Sequence, residues 1–485
     1  MNNENLQRII EIGIELTSEK NKNKLLEKMI NEAVAITNCD GATLYLVNNN
    51  ELIFKIMITK SQNVHKGFED ENINLPNVEM KEENVCSYCA IKKTFINIKN
   101  VYSSDEFDFS GPKKYDSLTG YHTESMLVIP MCDSKDNVIG VLQLINKMDN
   151  GKIIPFSTED GLILRSLGSM AAIAVVNMLY LEEIKLQMES FVESFATAID
   201  KRTPYNATHT RKVTEYAVML SNKINEEYKK NNYNEYFDQE RQEILKLSAG
   251  LHDIGKMIVP LTVMNKETRL SSKLEKIEDR IKYIKALYEI DYLKNLISNE
   301  VFNKKINELD NMLLDIIKIN TIGFLNDEYK EIIKYYDSLY YKNDTCSIKY
   351  LEADEVKDLL VTKGTLTSEE RQIMESHVKY TKEILQQVHL TGQYKNIIKY
   401  ASQHHEYLDG SGYPLGLKKE DLAVESRILA VVDIYDALTC TDRPYKKPIP
   451  VEKAFNILES MAYEGKLDLE LVGLFKDVIL KNNLH

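Results

Sequence analysis

The chain has 485 residues, of which 43% are hydrophobic and 28% charged, and its formal net charge at pH 7 is −13. This length predicts two or three domains, and the composition is ordinary for a soluble protein. The negative charge disfavours non-specific binding to nucleic acid polymers and to anionic membranes.

Neither a signal peptide nor a membrane span is expected. The start MNNENLQRII lacks a basic segment followed by an apolar one, and the longest apolar stretch, MAAIAVVNML, is too short to cross a bilayer. Six cysteines are scattered along the chain, and only Cys86 and Cys89 form a CxxC pair. Reduced thiols in a cytoplasmic protein are therefore favoured over a zinc or redox site.

The first 180 residues predict a β-rich sheet flanked by helices. Residues 4–36 have apolar side chains near helical spacing, which predicts a helix. Short, partly alternating segments follow and are separated by Asn, Asp and Gly turns. The clearest of these predicted strands are ATLYLV, ELIFKIMI, SMLVIPM and NVIGVLQLIN.

A long helix is predicted from Ser157 to about Lys201, because this stretch has no proline and only two glycines. It carries an apolar stripe made of Leu164, Leu167, Ala171, Ala174, Val175, Met178, Leu181 and Ile184. Such a stripe is either core within one domain or the seam of a parallel two-helix dimer, and at a domain exit we favour a homodimer. After residue 190 the pattern predicts helices and loops.

Five of the nine histidines lie in four short segments that predict one metal site together with two aspartates. The seven candidate ligands are His209, His252, Asp253, His377, His404, His405 and Asp433. Seven ligands exceed what one ion needs and suit two ions bridged by a carboxylate. The N/O donor set favours iron, manganese or another first-row divalent ion over structural zinc. The other four histidines lie outside any motif.

These segments carry a resemblance to a known family. Residues from about 190 to 485 resemble the HD-GYP family of bacterial cyclic-dinucleotide phosphodiesterases, through LHDIGK, HHEYLDGSGYP and DIYDALTCTDRPYK. Residues 1–180 resemble a GAF domain, through VIGVLQLINK followed by PFSTED and a long helix. The resemblance implies an α+β GAF-like sensory and dimerisation domain, a linker helix over 181–200, and an all-α HD-superfamily catalytic domain over 201–485.

The resemblance also implies how the ligands divide. Asp253 would bridge two ions, one held also by His209, His252 and Asp433, and the other by His377, His404 and His405. Some relatives hold a third ion through a glutamate four residues before the first histidine. Tyr205 stands at that position here. We therefore expect two ions per chain.

Substrate contacts follow by the same resemblance. Lys256 would bind the scissile phosphate or assist the leaving oxygen, the alternative being a surface lysine. Arg443 and Lys446 match positions that bind phosphates, although the segment before Arg443 is one residue longer than the common pattern. Gly412, Tyr413 and Pro414 form the segment called the GYP loop. Tyr413 either stacks on a guanine or packs this loop. Three further acidic residues are expected to contact and orient the metal ligands without binding metal themselves: Glu406, Asp409 and Asp436.

One region departs from the family pattern. The connection between the HD pair and the lone histidine is split into VPLTVMNK at 259–266 and GTLTSEE at 364–370. The segment between them, about 267–355, contains amphipathic patterns such as KLEKIEDRIKYIKALYEI. Because it is not low in complexity, we expect a folded helical insertion beside the site.

The GAF-like part offers a second candidate site. Asn146, Lys147, Phe156 and Asp160 partly match the signature of cyclic-nucleotide-binding GAF domains, but Gly161 stands where an acidic residue is expected. A strand end followed by a helix cap also explains these residues. Cyclic-nucleotide binding, another small ligand, and dimer contacts alone remain alternatives.

The leading hypothesis is a metal-dependent phosphodiesterase that converts cyclic di-GMP to linear pGpG, GMP or both, under control of the GAF-like domain. One alternative is the same chemistry on 3',3'-cyclic GMP-AMP, since nothing in the sequence separates guanine from adenine. Another is a non-catalytic receptor or scaffold that binds a protein partner at the GYP loop. The presence of all seven ligands and Lys256 favours catalysis. An HD-type nucleotide phosphohydrolase explains the HD pair but not the GYP loop.

Overall fold

The computed structural model describes residues 3–19, 21–67, 75–202, 208–344, 346–440 and 448–482. The chain divides into two compact units, Met1–Gln187 and Met188–His485. The first unit is built on an antiparallel sheet and the second is mainly helical. The predicted fold class, an α+β GAF-like domain, a long helix and a helical HD-type domain, is confirmed.

The first unit contains one sheet of eight strands in the order β3-β2-β1-β7-β6-β5, with β4 beside β2 and β8 beside β7. The strands are β1 Cys39–Asn48, β2 Glu51–Thr59, β3 Val64–Lys66, β4 Val78–Glu79, β5 Ile96–Ile98, β6 Met126–Cys132, β7 Val138–Asp149 and β8 Lys152–Ile154. The helices before the exit helix are α1 Asn3–Ser18, α2 Lys22–Thr37, α3 Val85–Lys92 and α4 Ser110–Thr119. The single helix predicted over 4–36 is thus two helices, because Asn21 caps the second by accepting a hydrogen bond from Lys24 N at 3.0 Å.

Both faces of this sheet are buried. Leu44 pairs with Leu142 on one face, and Tyr45 pairs with Val141 on the other. The alternation of side chains along a strand sends each pair to a different core. One core packs against α1 and α2 and the other against α3. The central strands therefore read as nearly continuous apolar runs.

Helix α5, Thr158–Arg202, is 45 residues long. Its start is fixed by Ser157 and Asp160, which exchange hydrogen bonds of 2.7 and 3.1 Å. The helix is long and apolar enough to cross a membrane, with an 18-residue window of mean hydropathy 1.8. This 18-residue window extends beyond MAAIAVVNML, which is by itself too short to cross a bilayer. Leu164, Ala171 and Val175 nevertheless belong to the core of the first unit.

The second unit adds thirteen further α-helices within the described residues. They are α6 His209–Lys229, α7 Gln239–Leu251, α8 Leu261–Met264, α9 Lys273–Leu293, α10 Asn299–Thr321, α11 Asp327–Asp337, α12 Ala353–Leu359, α13 Ser368–Glu375, α14 His377–Leu385, α15 Asn396–Ala401, α16 Val424–Thr439, α17 Val451–Tyr463 and α18 Leu469–Asn482. Short 3-10 helices span Ile254–Met257, Gly392–Lys395 and Lys419–Asp421. A small hairpin, β9 Tyr340–Lys342 and β10 Ser347–Lys349, departs from the all-α expectation.

This unit has two separate apolar cores. One joins α6, α7 and α14–α18, and the other is formed by residues between Leu270 and Leu359. The second core coincides with the insertion proposed at 267–355. The two ends of the insertion meet, because the Thr365 hydroxyl donates to the Lys266 carbonyl oxygen at 2.8 Å. Lys266 also pairs with Glu370 at 2.8 Å, so the two halves of the split connection are in contact.

Candidate metal centre

All seven candidate ligands converge inside the second unit. Six of them are buried and His405 is partly buried. The ligands come from helix starts, helix ends and one helix interior. His209 begins α6, His252 and Asp253 follow α7, His377 begins α14, His404 and His405 follow α15, and Asp433 lies within α16.

The first group consists of His209, His252 and Asp253, whose nearest ligand atoms lie within 4.8 Å of one another. Nε2 of His209 is 3.4 Å from Asp253 Oδ2, and Nε2 of His252 is 3.2 Å from the same oxygen. Asp433 joins this group, since its Oδ1 is 3.2 Å from His209 Nε2. Four nitrogen and oxygen donors around one point are suited to a divalent ion.

The second group consists of His377, His404 and His405, again with ligand atoms within 4.8 Å of one another. Nε2 of His377 is 3.5 Å from Asp253 Oδ1. The two oxygens of Asp253 therefore face different groups, as a bridging carboxylate requires. Asp433 also faces both, because its Oδ2 is 3.8 Å from His405 Nδ1.

Backbone carbonyls orient three of the imidazoles. Nδ1 of His252, His377 and His404 each lies 2.7 Å from a carbonyl oxygen three residues earlier in the chain. A carbonyl only accepts hydrogen bonds, so each Nδ1 carries a proton and each Nε2 faces the centre, where it can bind an ion once it is unprotonated. The Asp436 carboxylate does the same for His209, 2.6 Å from Nδ1.

The donor set fits divalent metal ions. Nε2 of His377 lies 3.4 Å from Nε2 of His404, so two lone pairs face each other. Among the described residues, His252 Nε2 and Asp253 Oδ1 are buried and have no hydrogen-bond partner. Such atoms are costly to bury unless a cation satisfies them. When bound, divalent ions here would activate water and neutralise charge on a phosphoryl group.

The histidines of the two groups differ in protonation in the metal-free protein. Burial opposes the charged form of His252, but the Asp253 carboxylate raises its pKa to about 9. Burial also opposes the charge on His209, yet hydrogen bonds to Asp253, Asp433 and Asp436 raise its pKa well above the ordinary value. In the second group burial dominates and lowers the pKa of His377 to about 3. His209 and His252 of the first group are therefore protonated at neutral pH beside ionised carboxylates, whereas His377 of the second group is neutral.

Lys256 lies at the edge of the centre. Its Nζ is 2.5 Å from Asp253 Oδ2, and its side chain is 18% exposed. It is therefore not a free surface lysine. The preceding Gly255 is required by close packing, since a Cβ there would lie 1.9 Å from the His377 carbonyl oxygen. Its amide also donates to the Thr381 hydroxyl at 3.0 Å, a contact that the sequence did not reveal.

The GYP loop packs directly behind the second group. A Cβ on Gly412 would lie 2.3 Å from Tyr407 N, which explains the need for glycine. The Tyr413 amide donates to the His405 carbonyl at 3.1 Å, and the two rings lie 4.8 Å apart at 33°. These contacts favour the interpretation that Tyr413 packs the loop.

The predicted supporting residues take different positions. Asp436 contacts His209, as described above. Glu406 is buried and accepts hydrogen bonds from the Leu415 and Leu417 amides at 2.7 and 2.9 Å. Asp409 accepts from Ser411 at 2.8 Å. Glu406 and Asp409 therefore shape the GYP loop, whereas Asp436 orients a ligand. Arg443, Lys446 and Tyr205 lie outside the described residues.

In the first unit, the residues that partly match a cyclic-nucleotide-binding signature make contacts within the protein. Lys147 Nζ pairs with Asp160 Oδ2 at 2.5 Å, and the buried Asn146 donates to the His122 carbonyl oxygen at 2.7 Å. The first contact joins the end of β7 to the start of α5, and the second joins β7 to the segment before β6. Cys86 and Cys89 are buried free thiols, and burial raises the pKa of Cys86 to about 12. That environment favours inert thiols.

Models of known domain families match both parts of the chain. Residues 21–175 match the GAF domain family, and residues 206–339 and 354–471 match two HD domain families. The GAF domain of an Acinetobacter phosphoenolpyruvate-protein phosphotransferase is 17% identical, with a TM-score of 0.29, and covers 38% of this chain and 99% of that chain.

Curated relatives share shorter segments. The chain is 36% identical over 116 residues to the 3'3'-cGAMP-specific phosphodiesterase 3 of Vibrio cholerae, covering 24% of this chain and 24% of that protein. It is 40% identical over 113 residues to a cyclic di-GMP phosphodiesterase of Thermotoga maritima, covering 22% of this chain and 28% of that protein. The chain thus matches about a quarter of the length of these relatives.

The match to the HD domain families agrees with divalent metal binding by the two histidine groups. The chain therefore carries a GAF domain and an HD domain, and it is related to proteins named cyclic di-GMP and 3'3'-cGAMP phosphodiesterases, of the HD-GYP type.

Proposed function

We propose that this protein hydrolyses a cyclic dinucleotide, with cyclic di-GMP as the leading substrate and linear pGpG, GMP or both as products. The observation that carries the proposal is that the two oxygens of Asp253 face two different histidine groups, which would allow it to bridge two ions. Two iron or manganese ions per chain suit this donor set. The relatives' names support a cyclic dinucleotide but divide between cyclic di-GMP and 3'3'-cGAMP.

The chain's own residues suit the hydrolysis of a phosphodiester. The oxygen of water forms the new bond to phosphorus, and the bond between phosphorus and the 3' oxygen breaks. The 3' oxygen takes a proton that the water gives up. The Lys256 ammonium, 18% exposed beside Asp253, is placed to contact the phosphate or the leaving oxygen. The His405 side chain is 21% exposed and the Lys256 side chain 18%, so substrate would approach the centre where these two side chains reach the surface.

The test combines metal analysis with product chromatography. Anaerobically purified protein should contain two ions per chain and should convert cyclic di-GMP to pGpG, GMP or both. Three ions, or one zinc, would contradict the proposed centre. Turnover of 3'3'-cGAMP alone would reassign the substrate. Binding of either dinucleotide without turnover, with two ions present, would favour the alternative of a receptor or scaffold.

We also propose a homodimer formed through the second half of α5. Leu181, Ile184, Phe191 and Phe195 are between 46% and 65% exposed. With Met188 they recur at alternating spacings of three and four residues, which is the pattern of a two-helix seam. The first half of the predicted stripe is used within the first unit, and Met188 packs partly against the core of the second unit, so the four exposed side chains are the part available to a partner.

Sedimentation of matched variants tests the dimer. Ile184→Lys should shift the protein to monomer, whereas Leu186→Lys, which is 67% exposed but off the stripe, should not. If the same helix carries a signal from the GAF domain, activity should fall with two residues inserted after Glu183 and partly return with four. Indifference to every insertion would reduce the helix to a tether.

A further inference from the structure

The last residues of α5 contact both segments that supply the first group of ligands. The buried Asp200 carboxylate accepts a hydrogen bond of 2.8 Å from the Thr210 hydroxyl, in the first turn of α6. Arg202 donates from Nη1 to the Lys256 carbonyl oxygen at 3.1 Å and from Nη2 to the Val259 carbonyl oxygen at 3.0 Å. The end of this helix therefore holds the backbone beside the centre.

The turn that carries Lys256 is held from two directions. Its start is fixed by Thr381, which accepts from the Gly255 amide at 3.0 Å and donates to the His252 carbonyl oxygen at 2.9 Å. Its end is fixed by Arg202. Carbonyls at the end of a short helix lack partners within the helix, and a guanidinium satisfies them with charge-assisted hydrogen bonds.

We infer that Arg202 is a positioning residue for Lys256. By holding the turn at both carbonyls it keeps the ammonium beside Asp253. A guanidinium suits the task because its planar fork donates to two acceptors at once, whereas a lysine reaches one point. The inference rests on the proposed function, since it assumes that Lys256 acts on the substrate.

The test compares Arg202→Met with Arg202→Lys and with Lys201→Met, an exposed neighbour on the same helix. In the metal-free protein, Arg202→Met should speed hydrogen exchange of the Lys256 and Ile258 amides. With metals it should keep both ions and lower kcat by about ten-fold to a hundred-fold, with a smaller change in KM, as expected from a displacement on the order of 1 Å. The exchange rate and kcat of Arg202→Lys should lie between those of the wild type and Arg202→Met. Lys201→Met should match the wild type in both.

The link to Lys256 is tested by combining variants. In a Lys256→Ala background, Arg202→Met should cause no further fall in kcat. Fully additive losses, loss of both ions in Arg202→Met, or wild-type exchange and kcat would each overturn the inference. If the wild type hydrolyses no cyclic dinucleotide, the proposed function fails. The exchange of the Lys256 amide then still decides whether Arg202 fixes the turn.

Discussion

The candidate metal centre and the proposed insertion lie in the same unit but differ in what they are built from. Apolar side chains form the core of the insertion, whereas imidazoles and carboxylates form the centre. The insertion has an apolar core of its own, which includes the fully buried Ile281 and Met312. The centre instead places Asp253 and Asp433 among five imidazoles, where buried charge is costly without compensating cations. We therefore expect the insertion to be stable by itself and the geometry of the centre to depend on bound metal.

The largest effect should come from replacing Asp253, the carboxylate that faces both histidine groups. Asp253→Ala should abolish hydrolysis and cause loss of both ions, because each histidine group loses the carboxylate that it shares with the other. Elemental analysis and product chromatography on the same preparation provide the measurement. Retention of one ion at full occupancy would mean that the two groups bind metal independently.

Motif residues predicted much of this arrangement, because imidazoles and carboxylates at those positions have few other uses. The sequence led to all seven candidate ligands, and the structure brings them together. It did not lead to the carbonyls that orient three histidines, since every residue has one. Arg202 was also missed, because it belongs to no motif and its carbonyl partners are distant in the sequence. The break between α1 and α2 depends on the Asn21 cap, a local signal that the helical spacing concealed.

Lys256→Ala should have the next largest effect. It should leave both ions bound and lower kcat by about a hundred-fold, within the range for one positioned electrostatic or acid–base group. Metal content must be measured beside the rate, since Lys256 also pairs with Asp253. Metal loss as severe as in Asp253→Ala would assign the lysine to the stability of the centre.

Protons released on metal binding should separate the two histidine groups. Ligand nitrogens must be neutral, so binding at pH 7.5 should expel roughly two protons, from His209 and His252, whose pKa values are raised. His377 should release none, because its pKa of about 3 leaves it neutral already. The contribution of His252 should disappear above pH 9, once that group is deprotonated before the metal binds.

Calorimetric titration in two buffers of different protonation enthalpy measures this release. The matched control is His252→Ala, which should release about one proton fewer at pH 7.5. Equal heats in both buffers would mean that His209 and His252 are already neutral before the metal binds. The carboxylates beside them would then be less charged than the contacts indicate.

The smallest effect should follow removal of the insertion. Joining Lys266 to Gly364 should give a folded protein that binds two ions, because Thr365 already contacts Lys266 across the gap. Lys266 would lose its contact with Asp358 at 3.4 Å but keep Glu370. Circular dichroism and metal content provide the measurement.

A pair of core substitutions controls for the possibility that the cut itself causes damage. Met312 and Leu245 are both fully buried, one in each core of this unit. Each change to alanine should cost about 2–5 kcal/mol of unfolding free energy in its own core. Leu245→Ala should weaken metal retention, since α7 leads directly to His252, whereas Met312→Ala should not. If Met312→Ala released metal as readily, the two cores would unfold together, and the insertion would be part of the structure that forms the centre.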